Sequence, residues 1–309
     1  MICVLDIAYA RFQVADLDKQ AEFLQDFGLR MYKKTDNALY MASAKGGYPS
    51  HISIRGPNCP LGLGFIAKSI EDLQCLAVQF GTTVQNNVEL GAGQIVSITD
   101  PDGYQVDVLF GGEVVPPLET RAPLSLNNSK EVRRTGSTNR VLSGASHAVR
   151  LGHVVLKTIN FKAMLAFYQD VLGFKVSDSY HVDVPENLVG VFMHCGLGSS
   201  YTDHHTIALL NLGNTERQID HCAFEVLDLD DLAMGNQYLA QRGYTHSWGI
   251  GRHVQGSQIF DYWRDPFGNK IEHWTDGDLV NDQTPVSNEP LSPDALAQWS
   301  PPLSADFMN

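Results

Sequence analysis

The sequence has 309 residues, 43% of them hydrophobic, with 22 Lys and Arg against 35 Asp and Glu for a formal net charge of −13. That length makes room for two ordinary domains, each able to bury its own core. The acidic balance argues against a nucleic-acid or membrane-surface partner, since both need clustered positive charge, and favours a small-molecule ligand. No run approaches the ~18 apolar residues of a membrane span. Met1 leads straight into Ile-Cys-Val-Leu, with neither a basic leader nor a cleavage site, so a cytoplasmic protein is expected. Five cysteines (Cys3, Cys59, Cys75, Cys195, Cys222), odd in number and without a C-x-x-C pair, read as scattered thiols.

In chain order, residues 4–14 read as a strand that feeds a helical run over 16–27, closed by Gly28. Residues 62–81 carry a helix around Glu71-Asp72-Leu73, and T-D-P-D-G-Y-Q-V-D from Thr99 is a turn between strands. Residues 111–150, rich in Pro, Ser, Asn, Gly and Arg, read as a linker and an irregular approach to a second domain. A strand follows over 151–158. Asn160 then caps a helix whose Met164, Leu165, Tyr168, Val171 and Leu172 share one apolar face, and Gly173 ends it. Alternation over 191–194 and 206–210 fits further strands. Residues 221–243 hold a helix around Asp230-Asp231-Leu232, and two strand-like runs meet at a D-P-F-G turn within 251–274. From 285 on, Pro285, Pro290, Pro293, Pro301 and Pro302 exclude a long helix but allow a short one over 294–299. Such a tail either packs on the surface or covers a site mouth.

The chain repeats itself. The stretch from Ala8 lies without gaps over the stretch from Gly152, residues 62–81 match 221–243, and the turn at Thr99 mirrors that at Arg264. The expected fold is therefore α+β, with four β-α-β-β-β modules of roughly 50 residues in two tandem domains. The expected boundaries are a first domain over 1–112, a linker over 113–148, a second domain over 149–284 and a Pro-rich tail over 285–309.

Comparing the halves position by position isolates the chemistry. Where the second half has His153, His221 and Glu272, the first has Tyr9, Gly62 and Asp107, so a metal held at those positions belongs to the second half alone. A single His in an apolar strand is more often a hydrogen-bonded core residue. These two, however, begin equivalent strands of adjacent modules, and Glu272 lies on the closing strand, so pseudo-symmetry aims all three inward. Two imidazoles and one carboxylate cap one face of an octahedral ion and leave three positions open, the arrangement of non-haem Fe(II) oxygen chemistry.

With these residues in place, the sequence resembles the type I extradiol ring-cleaving dioxygenases of the vicinal oxygen chelate superfamily, exemplified by catechol 2,3-dioxygenase and dihydroxybiphenyl dioxygenase. That family's signature, G-x-H, a spacer, Tyr, then a D-P-x-G turn and Glu, is met by Gly251, His253, Tyr262, Asp265, Pro266, Gly268 and Glu272. Asp261 stands where the signature has an apolar residue and is expected to face away from the site. The resemblance extends from a degenerate first domain to Trp274. It implies two vicinal-oxygen-chelate domains, each a half-open β-barrel flanked by helices, and a homo-oligomer. It further implies His153, His221 and Glu272 as ligands of Fe(II), with Mn(II) an alternative, and His205 as the acid/base beside the O2 site. Strand alternation alone leaves His204 open as well. His253 and Tyr262 would hydrogen-bond the substrate oxygens, and Val155, Trp248 and Gln255 would line the pocket. His51, His147, His181, His194, His246 and His273 fall outside the pattern. The implied reaction is meta ring cleavage of a small aromatic diol with incorporation of both atoms of O2, in aromatic degradation. No arginine matches a carboxylate-binding position, although Arg252 or the tail could supply one, so an uncharged alkyl- or aryl-substituted catechol is expected. A glyoxalase-type isomerase and a metal-free binding protein on the same scaffold are the competing readings.

Overall fold

A computed structural model describes residues 2–112, 115–304 and Phe307. The first half holds β1 (Val4–Val14), α1 (Leu17–Asp26), β2 (Arg30–Lys34), β3 (Ala38–Ala42) and β4 (His51–Arg55), then β5 (Cys59–Ala67), α2 (Ile70–Phe80), β6 (Gln85–Asn86), β7 (Gln94–Thr99) and β8 (Gln105–Phe110). After residues 116–149, which form neither helix nor strand, come β9 (Arg150–Lys157), α3 (Phe161–Asp170), β10 (Phe174–His181), β11 (Leu188–Cys195), β12 (Thr202–Asp203) and β13 (Ile207–Leu210). The fourth module is β14 (Gln218–Glu225), α4 (Leu229–Gln241), β15 (Thr245–His253), β16 (Ile259–Arg264) and β17 (Lys270–Thr275). Beyond it lie β18 (Leu279–Val280), β19 (Ser287–Pro290), a 3-10 turn at Pro293–Ala295 and β20 (Ala297–Trp299).

The four modules build two mixed sheets. One has the order β2-β3-β4-β1-β5-β8-β7-β6, and the other β19-β10-β11-β13-β9-β14-β17-β16-β15-β20. In each, the first strands of two modules pair antiparallel at the centre (β1 with β5, β9 with β14), and each of these pairs parallel with the last long strand of its own module. The repeat seen in the sequence is therefore a pseudo-two-fold within each sheet.

Local chemistry sets the helix ends. Asp16 caps α1 by accepting from the backbone N–H groups of Asp18 and Lys19, and Ser69 and Asp72 form a reciprocal capping box on α2. At α3 the expectation fails in detail, because Asn160 makes no side-chain cap. It donates instead to Asp102 Oδ1 at 2.8 Å, and Asp102 also accepts from the backbone N–H groups of Ile159 and Asn160 and from the Thr158 hydroxyl. Asp102 belongs to the D-P-D-G turn of the first half, so that turn clasps the start of the other half's first helix. The mirror contact is Gln20 Nε2 of α1 donating to Asp265 Oδ2, in the D-P-F-G turn, at 3.0 Å. Both turns join the halves as well as reversing the chain. Asp102→Ala leaves four donor groups without their acceptor and is expected to destabilise the fold by about 1–3 kcal/mol, read as a lower urea midpoint.

Two elements set the scene for the site. The core is continuous across both halves, with Phe27, Phe65, Tyr168, Phe174 and Phe224 in one cluster. The tail adds β19 parallel to β10 at one end of the ten-stranded order and β20 antiparallel to β15 at the other. It thus runs from one open edge of the second sheet to the other and spans the opening between them. The short helix expected over 294–299 is reduced to the single 3-10 turn, since the unpaired edge of β15 offers backbone bonds that draw Ala297 and Trp299 into strand pairing. The last residues of the tail, apart from Phe307, lie outside the described residues.

Candidate functional site

Strand register assembles the site. His153 on β9 lies opposite Ala223 on β14, Ala223 opposite Glu272 on β17, Glu272 opposite Tyr262 on β16, and Tyr262 opposite Trp248 on β15. Residues opposite one another share a face, so one row across five strands aims an imidazole, a carboxylate, a phenol and an indole at the same cavity. His221, two residues before Ala223, faces the same way. Ala223 is small and fully buried, which leaves the centre of the row open. Gly152, beside His153, makes room for the Trp274 ring, which a Cβ would meet at 2.5 Å.

His153, His221 and Glu272 offer ligand atoms that all lie within 4.8 Å of one another. Nε2 of His153 stands 3.2 Å and Nε2 of His221 3.3 Å from the same oxygen, Glu272 Oε2. Burial alone would raise the Glu272 carboxyl, but the two imidazoles outweigh it and hold the group well below the usual carboxylate range. Its Oε1 is buried without a hydrogen-bond partner. A fully buried carboxylate with one orphaned oxygen and two imidazole nitrogens converging on the other is what a divalent cation needs from its protein. The donor set fits a metal.

Asp220 completes this centre. It accepts from His221 Nδ1 at 2.7 Å, which turns Nε2 toward Glu272. Its own charge is met by Lys270 at 3.1 Å and Lys157 at 3.2 Å, and although burial opposes ionisation, these groups and His221 hold it well below its ordinary value. The sequence reading missed Asp220 because strict alternation would point it away from His221. A register shift between Ile219 and His221 marks an irregularity that brings the two together.

The other expected residues fall around the cavity. His253 and Tyr262 are joined, with Tyr262 OH 2.8 Å from His253 Nε2, while His253 Nδ1 sits 2.8 Å from the Leu296 carbonyl of the tail. A carbonyl only accepts, so Nδ1 carries the proton and Nε2 is the lone-pair nitrogen that takes the Tyr262 hydroxyl. Burial pushes His253 down to about 4, with His221 and His153 acting in the same direction against Glu272. This bonding presents His253 Nε2 as an acceptor on the cavity side. Of the adjacent pair, His205 lines the cavity, its ring 4.1 Å from that of His153, whereas His204 turns outward to Asp178 at 2.8 Å. Burial, then the neighbouring imidazoles, hold His205 well below the ordinary range.

Val155, Trp248 and Gln255 line the cavity, along with Tyr180, Phe192 and Leu210. So do Leu291, Leu296 and Phe307, which places the tail over the mouth. Composition excluded only a long helix there and left open whether the tail packs on the surface or covers a site mouth. With its open mouth included, the cavity measures about 820 Å3, and among the described residues no arginine or lysine lines it. Arg252 is spent elsewhere, on the Ser257 carbonyl and Asp276. Asp261 faces the opposite side of β16, where it accepts from Asn236, His246 and Trp263. His273 likewise points away, donating to the Phe27 carbonyl at 2.7 Å and stacking on the Phe27 ring.

The first half repeats the register with different chemistry. Tyr9 lies opposite Gly64, Gly64 opposite Asp107, and Asp107 opposite Ser97. Tyr9 donates to Asp107 at 2.7 Å, Arg11 lies 3.7 Å from the same carboxylate, and Arg11 pairs with Glu89 at 2.9 Å. A phenol and a guanidinium occupy the positions where the other half has its cluster of two imidazoles and a carboxylate.

Comparison with known proteins agrees with this layout. Residues 150–273 match the model of the Glyoxalase/Bleomycin resistance protein/Dioxygenase superfamily. The chain is 29% identical over 307 residues to metapyrocatechase 2 of Cupriavidus necator, covering 99% of this chain and 92% of the relative. Its fold matches homoprotocatechuate 2,3-dioxygenase from Brevibacterium fuscum, solved with 3,4-dihydroxyphenylacetate, at a TM-score of 0.80 and 19% identity over 99% of this chain and 92% of that one. It also matches the Mn(II)-bound glyoxalase from Novosphingobium aromaticivorans, at 0.77 and 24% over 97% and 91%. The two-sheet, four-module fold is thus the vicinal-oxygen-chelate fold.

Proposed function

We propose that this protein, whose residues 150–273 match the model of the Glyoxalase/Bleomycin resistance protein/Dioxygenase superfamily, is an Fe(II)-dependent extradiol dioxygenase. It opens the ring of a catechol beside the diol and incorporates both atoms of O2. The observation that carries the reading is the row through His153, Glu272 and Tyr262, which sets three ligand atoms within 4.8 Å and a phenol–imidazole pair beside them. The full-length likeness to metapyrocatechase 2 supports it. The division of labour follows: residues 1–112 form a degenerate domain without metal, 113–148 a linker, 149–284 the catalytic domain and 285–309 a tail.

His153, His221 and Glu272 would hold the metal. Bound there, a ferrous ion would supply Lewis acidity toward the diol and O2; Mn(II) suits the same two nitrogens and one oxygen. His253 Nε2, kept neutral by burial and aimed by the Leu296 carbonyl, accepts a proton from one substrate hydroxyl. Tyr262, released from His253, donates its O–H to the substrate oxygen as negative charge develops there. His205 serves as acid/base on the His153 side of the cavity. Phe192, Trp248, Leu296 and Phe307 exclude water around the ring. With no arginine or lysine on the wall among the described residues, the substrate is an uncharged catechol bearing an apolar alkyl or aryl group. A glyoxalase-type isomerase normally needs a fourth protein ligand, and among the described residues the cluster has three.

The reading includes a cytoplasmic setting, in keeping with five free cysteines, and a homo-oligomer, which light scattering checks. Among the described residues no helix is long and apolar enough to cross a membrane. Anaerobic purification, metal analysis and O2 uptake with unsubstituted, alkyl- and aryl-catechols test the whole. One iron per chain and stoichiometric O2 consumption with a ring-opened product are expected; a zinc protein inert to catechols sinks the proposal.

A further inference from the structure

His205 has a second imidazole behind it. Nδ1 of His205 lies 3.1 Å from Nδ1 of His204, and Nε2 of His204 lies 2.8 Å from Asp178 Oδ2. Both histidines are buried, His204 at 4% and His205 at 3% exposure, and the Phe192 ring packs edge-on against His205. The other oxygen of Asp178 accepts from the backbone N–H of Ser287, on tail strand β19, at 2.8 Å. The Ser177 hydroxyl donates to the His204 carbonyl, fixing the backbone of the pair.

We propose that Asp178 and His204 are positioning residues that fix His205 as the tautomer protonated at Nδ1, leaving the Nε2 lone pair open to the cavity. The logic follows the direction of each hydrogen bond. An ionised carboxylate only accepts, so His204 Nε2 carries the proton facing Asp178. In a neutral His204 the remaining nitrogen, Nδ1, is then an acceptor. With His204 neutral, the 3.1 Å contact is a hydrogen bond only when His205 Nδ1 supplies the hydrogen. His205 Nε2 is left bare and ready to take a proton. Because Asp178 is also the acceptor for Ser287, docking of the tail and orientation of the relay share one carboxylate. The part this nitrogen plays in turnover rests on the ring-cleavage reading; the tautomer does not.

Asp178→Asn separates the possibilities. An asparagine whose Oδ1 keeps the Ser287 N–H presents its NH2 to His204 Nε2, which must become an acceptor. His204 then protonates at Nδ1 and donates to His205 Nδ1, moving the His205 proton to Nε2. Long-range 1H–15N correlation of the imidazoles in metal-free protein reads this directly. The wild type is expected to show His205 unprotonated at Nε2, and Asp178→Asn the reverse, with kcat for catechol cleavage falling at least about tenfold while KM and metal content hold. His204→Phe, which keeps a ring but no acceptor, is expected to leave His205 as a mixture of both tautomers, and serves should Asp178→Asn fail to fold. A wild type protonated at Nε2, or a His205 tautomer unmoved by both substitutions, overturns the proposal. A protein that shows the tautomer switch yet cleaves no catechol upholds it and sinks the ring-cleavage reading instead.

Discussion

His221→Ala is expected to lose its metal and all turnover, whereas His205→Ala keeps a full complement of metal and turns over about 10²–10⁴-fold more slowly. The contrast follows from where each ring sits. His221 Nε2 is 3.3 Å from Glu272 Oε2 and belongs to the three-donor cluster; without it, one imidazole and one carboxylate remain. Disturbing only the outer partner of such a ligand typically costs 10–100-fold in affinity, so removing the ligand itself is expected to cost at least about 100-fold. The fold should tolerate the change, because Asp220 keeps Lys270 and Lys157 and is not stranded as a lone buried charge. His205 lies against His153 with its Nδ1 committed to His204, so its loss removes a proton acceptor and no donor to the ion. Metal content after anaerobic reconstitution, measured beside kcat, decides the point. Metal retained in both variants refutes the assignment.

The contrast between the halves was legible in the sequence because register in a sheet is strict. Once Ala8 onward lies over Gly152 onward, the positions of Tyr9, Gly62 and Asp107 against His153, His221 and Glu272 follow, and the pairing through Gly64 and Ala223 is the same relation in space. Four modules and the inward aim of the row came from that one comparison. Three features did not, each for a physical reason. Asp220 sits at an irregularity, where period-two reasoning breaks. The Asp102 and Asp265 contacts join residues far apart in the chain, and no local pattern marks which helix a turn will meet. The tail reveals its place only once the sheet has two unpaired edges for β19 and β20 to extend, since its own sequence is neither periodic nor apolar enough to predict a strand.

That tail bears on the second large effect, expected at His253. His253→Phe should lower kcat/KM by about 10²–10⁴-fold while leaving metal affinity near that of the unchanged protein. The ring stacks on Phe260 at 4.1 Å, an arrangement phenylalanine reproduces, so the substitution removes the two nitrogens with little loss of packing. What disappears is the lone pair at Nε2, which holds the Tyr262 hydroxyl at 2.8 Å and faces the place a catechol hydroxyl takes. Tyr262→Phe removes the other partner and is expected to cost less, because His253 stays aimed by the Leu296 carbonyl. If the two groups act as one unit, the double variant loses little more than His253→Phe alone. Measuring kcat/KM for all three variants beside iron content settles it. A His253→Phe enzyme with near-normal kcat/KM removes His253 from the chemistry, and fully additive losses show that the 2.8 Å pair is broken before either group acts.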